Sequence, residues 1–193
     1  MGATLRQYSL HGYHGATMKN IANEVGIKPA SIYYFYDNKE ELFISAFQQL
    51  LDNHQQEMER IFSESQGEEI ARIFISMIRG LVNHHKINTG ETVAYISLVN
   101  SPIPEIKTYL QEHLVNFNNW MYQSFEELLK DNYPSITTTA INAIIQQYVL
   151  LANGVFWSIN LYEGEAFEQQ VKIAEHFIQN LFNELNNTCK VLS

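Results

Sequence analysis

The chain has one cysteine, four prolines and nine glycines in 193 residues, and these scarcities remove several classes of protein at once. A lone Cys189 forms no intramolecular disulfide, and no Cys-rich spacing suggests a zinc finger. The expectation is a spare small hydrophobe in a reducing compartment. No run reaches the roughly 18 apolar residues of a membrane span, and the N-terminus lacks the basic-then-apolar order of a signal peptide. A cytoplasmic protein with no membrane partner is predicted. Cations are few: 12 Lys and Arg stand against 21 Asp and Glu, a net charge of −9 that over the whole surface repels nucleic acid. Catalytic patterns are missing too. The sequence contains no Gly-rich phosphate loop, nucleophile elbow, Cys-x-x-Cys, His-Glu-x-x-His or Glu-x-x-His, so no catalytic residues, cofactor or metal are expected and an enzyme is not.

What is present is apolar content with helical period. Hydrophobic residues make up 46% of a chain long enough to bury about 70% of its unfolded surface, which supports a core without staples. The charge is also uneven. Residues 1 to 39 carry Arg6, Lys19, Lys28 and Lys39 against Glu24 and Asp37, so the acidic excess lies beyond them and any polyanion partner must meet the first forty residues.

Turn signals cut the chain into about nine helical pieces, an all-α reading. A stretch over 3–11 points Leu5, Tyr8 and Leu10 inward and ends at Gly12. Thr17 is a candidate N-cap for a second helix with Met18, Ile21, Ala22 and Val25 at i, i+3, i+4 and i+7, ended by Gly26. Pro29 at a first helical position opens a third helix through Ser31, Ile32, Tyr33 and Phe35. Asn38 with Glu41 forms a capping-box pattern that launches a helix through Leu42, Phe43, Ala46, Phe47, Leu50 and Leu51 toward residue 64. Longer runs follow at 68–84, 102–131, 137–162 and 165–187, the second with Pro102 and Pro104 near its start. They are separated by Asn88-Thr89-Gly90, Asn132-Tyr133-Pro134-Ser135 and Glu163-Gly164. Thr92 to Val99 has strand-like β-branching, but nothing is available to pair with it, so helix is expected there.

The segment Thr17 to Tyr36 is a helix, a glycine turn and a second helix. Its detail is more specific. Gly12-Tyr13, Thr17-Met18, Ile21-Ala22, Gly26-Ile27, Ser31-Ile32-Tyr33-Tyr34-Phe35-Tyr36 and Lys39-Glu40-Glu41-Leu42-Phe43 resemble the N-terminal signature of the TetR family of transcriptional regulators. The resemblance covers about 45 residues in unbroken register; the rest matches in length and helical pattern. It implies a three-helix helix-turn-helix DNA-binding domain at 1–47 and a larger helical ligand-binding and dimerisation domain at 48–193. The long fourth helix joins the two and can pass a tilt between them.

For DNA binding, the resemblance and the chemistry together nominate Thr17, Lys28, Pro29, Ala30, Ser31, Tyr33, Tyr34 and Lys39. The third helix would lie in the major groove, with hydroxyls and ammonium groups meeting phosphates and base edges. Ile21, Ala22, Val25, Ile32 and Tyr36 are expected in the small core, with Phe35 also packing. Two features depart from the family pattern: the usual basic arm is represented by Arg6 alone, and Lys28 precedes Pro29, one place nearer the turn. Few cations per domain call for two linked domains on double-stranded operator DNA.

The expected dimer interface comes from the last two helices. Ile141, Ile145, Tyr148, Ala152 and Phe156 wrap more of the first than one core needs, and Ala174, Phe177, Ile178 and Leu181 lie along the second. A pocket for an unknown small-molecule effector, implied by the family, is expected among Tyr95, Phe117, Trp120, Met121, Tyr148 and Trp157, with Tyr122 nearby. His84-His85 is expected at a solvated helix end, since adjacent helical residues point about 100° apart and do not share an ion. The expected function is a homodimeric repressor released from DNA by ligand. The competing reading is a helical protein-interaction adaptor with a vestigial helix-turn-helix.

Overall fold

The structure is a computed structural model that describes residues 1–87, 89–97 and 103–191, with side chains described through residue 187. Among the described residues it has nine helices and no strand. These are α1 Gly2–Gly15, α2 Met18–Glu24, α3 Pro29–Tyr33, α4 Lys39–Glu64, α5 Ile70–Ile87, α6 Thr89–Ser97, α7 Pro104–Asn132, α8 Thr138–Leu161 and α9 Gly164–Val191. No helix among them is long and apolar enough to cross a membrane. Backbone proximity divides the chain into two compact units, Met1–Gln56 with Ile87–Phe117, and Glu57–Lys86 with Asn118–Ser193. Helices α4 and α7 supply residues to both. Asn88, Val99, Pro102 and the Cys189 side chain lie outside the described residues.

In the first unit, local signals act as the sequence predicts. Gly12 takes φ 64°, which breaks α1 and leaves a further turn to Gly15. Thr17 Oγ1 accepts from the Asn20 amide at 3.1 Å and starts α2. Asn38 Oδ1 accepts from the Glu41 amide at 2.8 Å, while the Glu41 carboxylate accepts from the Asp37 amide at 2.8 Å, one residue before the cap itself. The core gathers Leu5, Tyr8, Ile21, Ala22 and Ile32 with Leu42, Phe43, Ala46, Phe47, Leu50 and Leu51 of α4. Tyr8 meets Phe47 edge-on at 4.9 Å. Ala94, Ile106 and Leu110 close the same cluster, and α6 packs on α1.

Three core expectations are corrected here. Leu10 is 71% exposed, Val25 50% and Phe35 72%, because Leu10 lies on the outer face of α1 while Val25 caps the end of α2 and Phe35 lies beyond the end of α3. Thr89 and Gly90 start α6 instead of forming a turn. Gly90 lies close against the Arg6 side chain, and packing of α6 on α1 overrides the weak helix preference of glycine. Thr92 to Ser97 is helical as expected.

The second unit is built around an aromatic stack. Phe74 of α5 lies on Phe125 of α7 at 4.2 Å, and both meet Tyr148 of α8 edge-on at 5.1 and 4.9 Å. Phe182 of α9 completes the cluster at 4.9 Å from Phe74. Ion pairs Arg79–Glu175 at 2.6 Å and Lys86–Glu168 at 3.1 Å tie α5 to α9 at the surface. His84-His85 is not the solvated end expected. His85 is buried with its ring 4.8 Å from Phe156, and burial pushes its pKa down to about 3, so it is neutral in the folded chain.

Two substitutions test this account by thermal unfolding. Asn38→Ala removes the α4 cap and is expected to cost about 1 kcal/mol, lowering Tm by roughly 2–4 °C for a chain of this size. Phe74→Ala opens the centre of the stack and is expected to cost about 3–5 kcal/mol. A Tm change for Phe74→Ala no larger than that of the cap variant would show that the stack is not the centre of the second unit.

Candidate nucleic-acid interface

Helix α3 has five residues, too few to stand alone, so its placement depends on what surrounds it. Gly26 at φ 72° makes the turn from α2, and the Ile27 amide donates back to the Ala22 carbonyl at 3.0 Å. Lys28 occupies the N-cap of α3, the Ser31 amide donates to its carbonyl at 2.9 Å, and Pro29 follows at the first helical position. Ile32 is buried and Tyr36 half-buried. These two pin one face of the helix to the core.

The opposite face is left to solvent. Tyr34 is 83% exposed, with Ala30 and Ser31 exposed beside it and Tyr33 on the flank. Tyr34 and Phe35 meet edge-on at 5.0 Å. Thr17 and Lys28 are also exposed, whereas Pro29 is half-buried. Lys39 is half-buried, with its ammonium 4.4 Å from the centre of the Tyr13 ring, and burial lowers its pKa. The Tyr13 pKa is raised by burial and then by Glu40. Arg6 is held inside the unit: its guanidinium donates to Glu24 at 2.6 Å and Gln7 donates to the same carboxylate at 2.8 Å. Those hydrogen bonds, Gln7 first and then Arg6, hold Glu24 below the usual carboxylate range, so its charge is answered within the unit. Beside α3, an open apolar groove of about 400 Å³ runs past Met1, Ile21, Val25, Ile27 and Phe35, with Ser31 on its edge.

The residues nominated for the effector pocket fall in two places. In the first unit, Tyr95 and Phe117 both flank the buried His54, at 5.7 and 5.1 Å between ring centres, and His113 stacks on Phe117 at 6.2 Å. Burial raises the Tyr95 pKa to about 12 and lowers that of His113, so a neutral, aromatic environment results. His54 and His113 escaped the sequence reading. One histidine per helix carries no spacing signal, and only the packing of α4 near α7 brings them together. In the second unit, Trp120 meets Phe62 edge-on at 6.0 Å, Met121 is buried and Tyr122 is half-buried. Tyr148 is part of the aromatic core rather than a free wall, and Trp157 is 49% exposed.

The residues nominated for a dimer interface differ in exposure. Ile141, Ile145 and Tyr148 face the interior of their own unit, as does Ile178 on α9, because the aromatic stack draws that face inward. Ala152, Phe156 and Leu181 are half-buried. What α8 and α9 leave open is a groove of about 320 Å³ lined by Leu150, Leu151, Gly154, Ile173, Ala174 and Phe177. Leu150 at its edge is 75% exposed. Ala174 and Phe177 of this groove are among the residues nominated from the sequence, whereas Leu150, Gly154 and Ile173 are not, because a helix apolar nearly all round, as α8 is, does not reveal which face the chain uses for itself.

Comparison with known proteins matches residues 1–46 to the family described as bacterial regulatory proteins, tetR family. The Staphylococcus epidermidis biofilm operon icaADBC HTH-type negative transcriptional regulator IcaR is 53% identical over 36 residues, which are 19% of this chain and 20% of that protein. Matches to curated relatives therefore span about a fifth of their length. Among solved structures, the transcriptional regulator FadR from Bacillus subtilis in complex with stearoyl-CoA has a TM-score of 0.70 at 15% identity, covering 93% of this chain and 94% of that one. A TetR-family regulator from Rhodococcus sp. has a TM-score of 0.66 at 14% identity, covering 93% and 94%. Residues 1–46 thus carry the N-terminal domain of the TetR family of bacterial regulatory proteins, on a chain with the all-helical fold of TetR-family transcriptional regulators.

Proposed function

We propose that the protein is a cytoplasmic, homodimeric transcriptional repressor that binds operator DNA through residues 1–47 and is released by a small molecule bound within residues 48–193. The observation that carries this reading is the free face of α3. Ala30 and Ser31 on α3 and Tyr34 at its C-cap stand in solvent opposite Ile32, which locks the other face, and apart from its edge-on contact with Phe35 the Tyr34 ring is left largely unburied. Thr17 and Lys28 flank it as phosphate contacts, and Lys39, less exposed, adds its charge at the start of α4.

Two further features support the regulatory half. The apolar α8–α9 groove, with Leu150, Ile173 and Phe177 open at its rim, suits pairing with a second copy about a twofold axis. Two heads then bind half-sites about one helical turn apart, which compensates for few cations per head. The His54, Tyr95, His113 and Phe117 cluster suits an effector with an apolar body, and an acyl-bearing molecule of the kind bound by the Bacillus subtilis neighbour is the first class to try. An effector that moves α6 acts directly on α1, since the two are packed together. It must bind the two conformers unequally; a coupling of about 1–3 kcal/mol changes operator affinity roughly 5- to 150-fold.

The experiment is binding to the DNA upstream of the protein's own gene against random duplex of equal length, as a function of salt. Tight, selective, salt-dependent binding is expected, and Lys28→Ala is expected to lower the salt slope by about one. Binding without selectivity would favour the adaptor reading. For the dimer, the double variant Leu150→Asp with Phe177→Asp is expected to halve the mass seen by sedimentation and to weaken operator binding steeply while leaving the helical circular dichroism intact. A dimer that survives this change would move the interface elsewhere.

A further inference from the structure

The geometry points to a reading head that selects its half-site through thymine methyl groups and not through guanine edges. This inference rests on the DNA-binding function proposed above and concerns what the head recognises once it is in the groove. From Ile27 to Tyr36 the chain has no Arg, Asn, Gln, Asp or Glu, so no guanidinium for the paired acceptors of guanine, no carboxamide for adenine and no carboxylate for the cytosine amine. The one charge in that stretch is Lys28, and it sits on the turn at the N-cap of α3, off the helix itself. What α3 offers instead is the Ala30 methyl, the Ser31 hydroxyl and the ring of Tyr34 as its outermost surface, with the Tyr33 and Phe35 rings on either side.

The flanks continue that chemistry. Val25 and Ile27, both exposed on the turn, and Phe35 line the groove beside α3, so that side of the helix is apolar, while Thr17 and Lys28 bring a hydroxyl and a charge to its flanks. In the major groove, the feature that rewards such a surface is the C5-methyl of thymine, against which Ala methyls and aromatic rings make apolar contact. A G·C pair set against the Ala30 methyl or the ring carbons, away from the hydroxyls, would bury its acceptors and amine without a partner, which is unfavourable. Ser31 reads either kind of pair and leaves the choice to its neighbours. Selection therefore comes from methyl contact at thymine combined with exclusion of the more polar pair.

The test is selection of bound duplexes from a random pool by the full chain, followed by single replacements of thymine by deoxyuridine, which deletes only the methyl group. Expected are half-sites with thymine at the positions facing α3, and a roughly fourfold loss of affinity for each contacted methyl removed, the value of burying one carbon-sized group expressed as a ratio. In the Tyr34→Ser variant, whose native ring is largely in solvent and whose loss should not affect folding, thymine and deoxyuridine are expected to bind alike at one position per half-site. Selected sites with fixed guanines facing α3, or deoxyuridine binding as well as thymine throughout, would overturn the inference while leaving the DNA-binding function standing. Recovery of no preferred sequence at all would overturn both.

Discussion

The head depends on a helix that does not hold itself. With five residues, α3 has no stability of its own, and its orientation is set by Ile32 seated in the core, by the left-handed Gly26 and by Pro29. Each element serves that seat. The Arg6–Glu24 pair and Gln7 fasten α1 to α2, the Thr17 cap fixes where α2 starts, and the Asn38–Glu41 cap fixes where α4 starts after the chain leaves α3. Because one face of α3 is held inward by Ile32, the outward residues are fixed in direction without being packed, which suits the reading role proposed for them.

The same division of faces governs α8 and α9. The stack of Phe74, Phe125, Tyr148 and Phe182 claims one side of each helix, and the remaining apolar residues are left in an open groove. An open apolar groove of this kind suits coverage by a partner, which is the physical basis for the second copy proposed there. Within the first unit, α6 contributes Ala94 to the core under the head, packs on α1, and carries Tyr95 beside His54. One short helix thus touches both the foundation of the head and the aromatic cluster proposed for the effector.

Much of this was legible because the relevant signals are local. Caps at Thr17 and Asn38, the helical entry at Pro29 and the turns at Gly12 and Gly26 depend on a few neighbouring residues, and each appears where the pattern places it. The misplacements have a common cause. Leu10 lies on the outer face of α1, and Val25 and Phe35 fall just past the ends of α2 and α3, positions where apolar spacing alone does not say how far the buried stripe runs. His85 and Tyr148 carry polar atoms, yet both end inside the second unit because neighbouring rings enclose them.

The amino-acid sequence by itself determined the helical class, the capped short helices of the head, the family of its first 46 residues and the chemistry available to α3, since these follow from residue type and spacing of a few positions. Only the tertiary structure decided which face of α8 the chain keeps for itself, that α6 rests on α1, and that His54 and His113 meet around Phe117. Those outcomes are contacts between residues tens of positions apart, and they are selected by packing of whole helix faces, which no local period encodes.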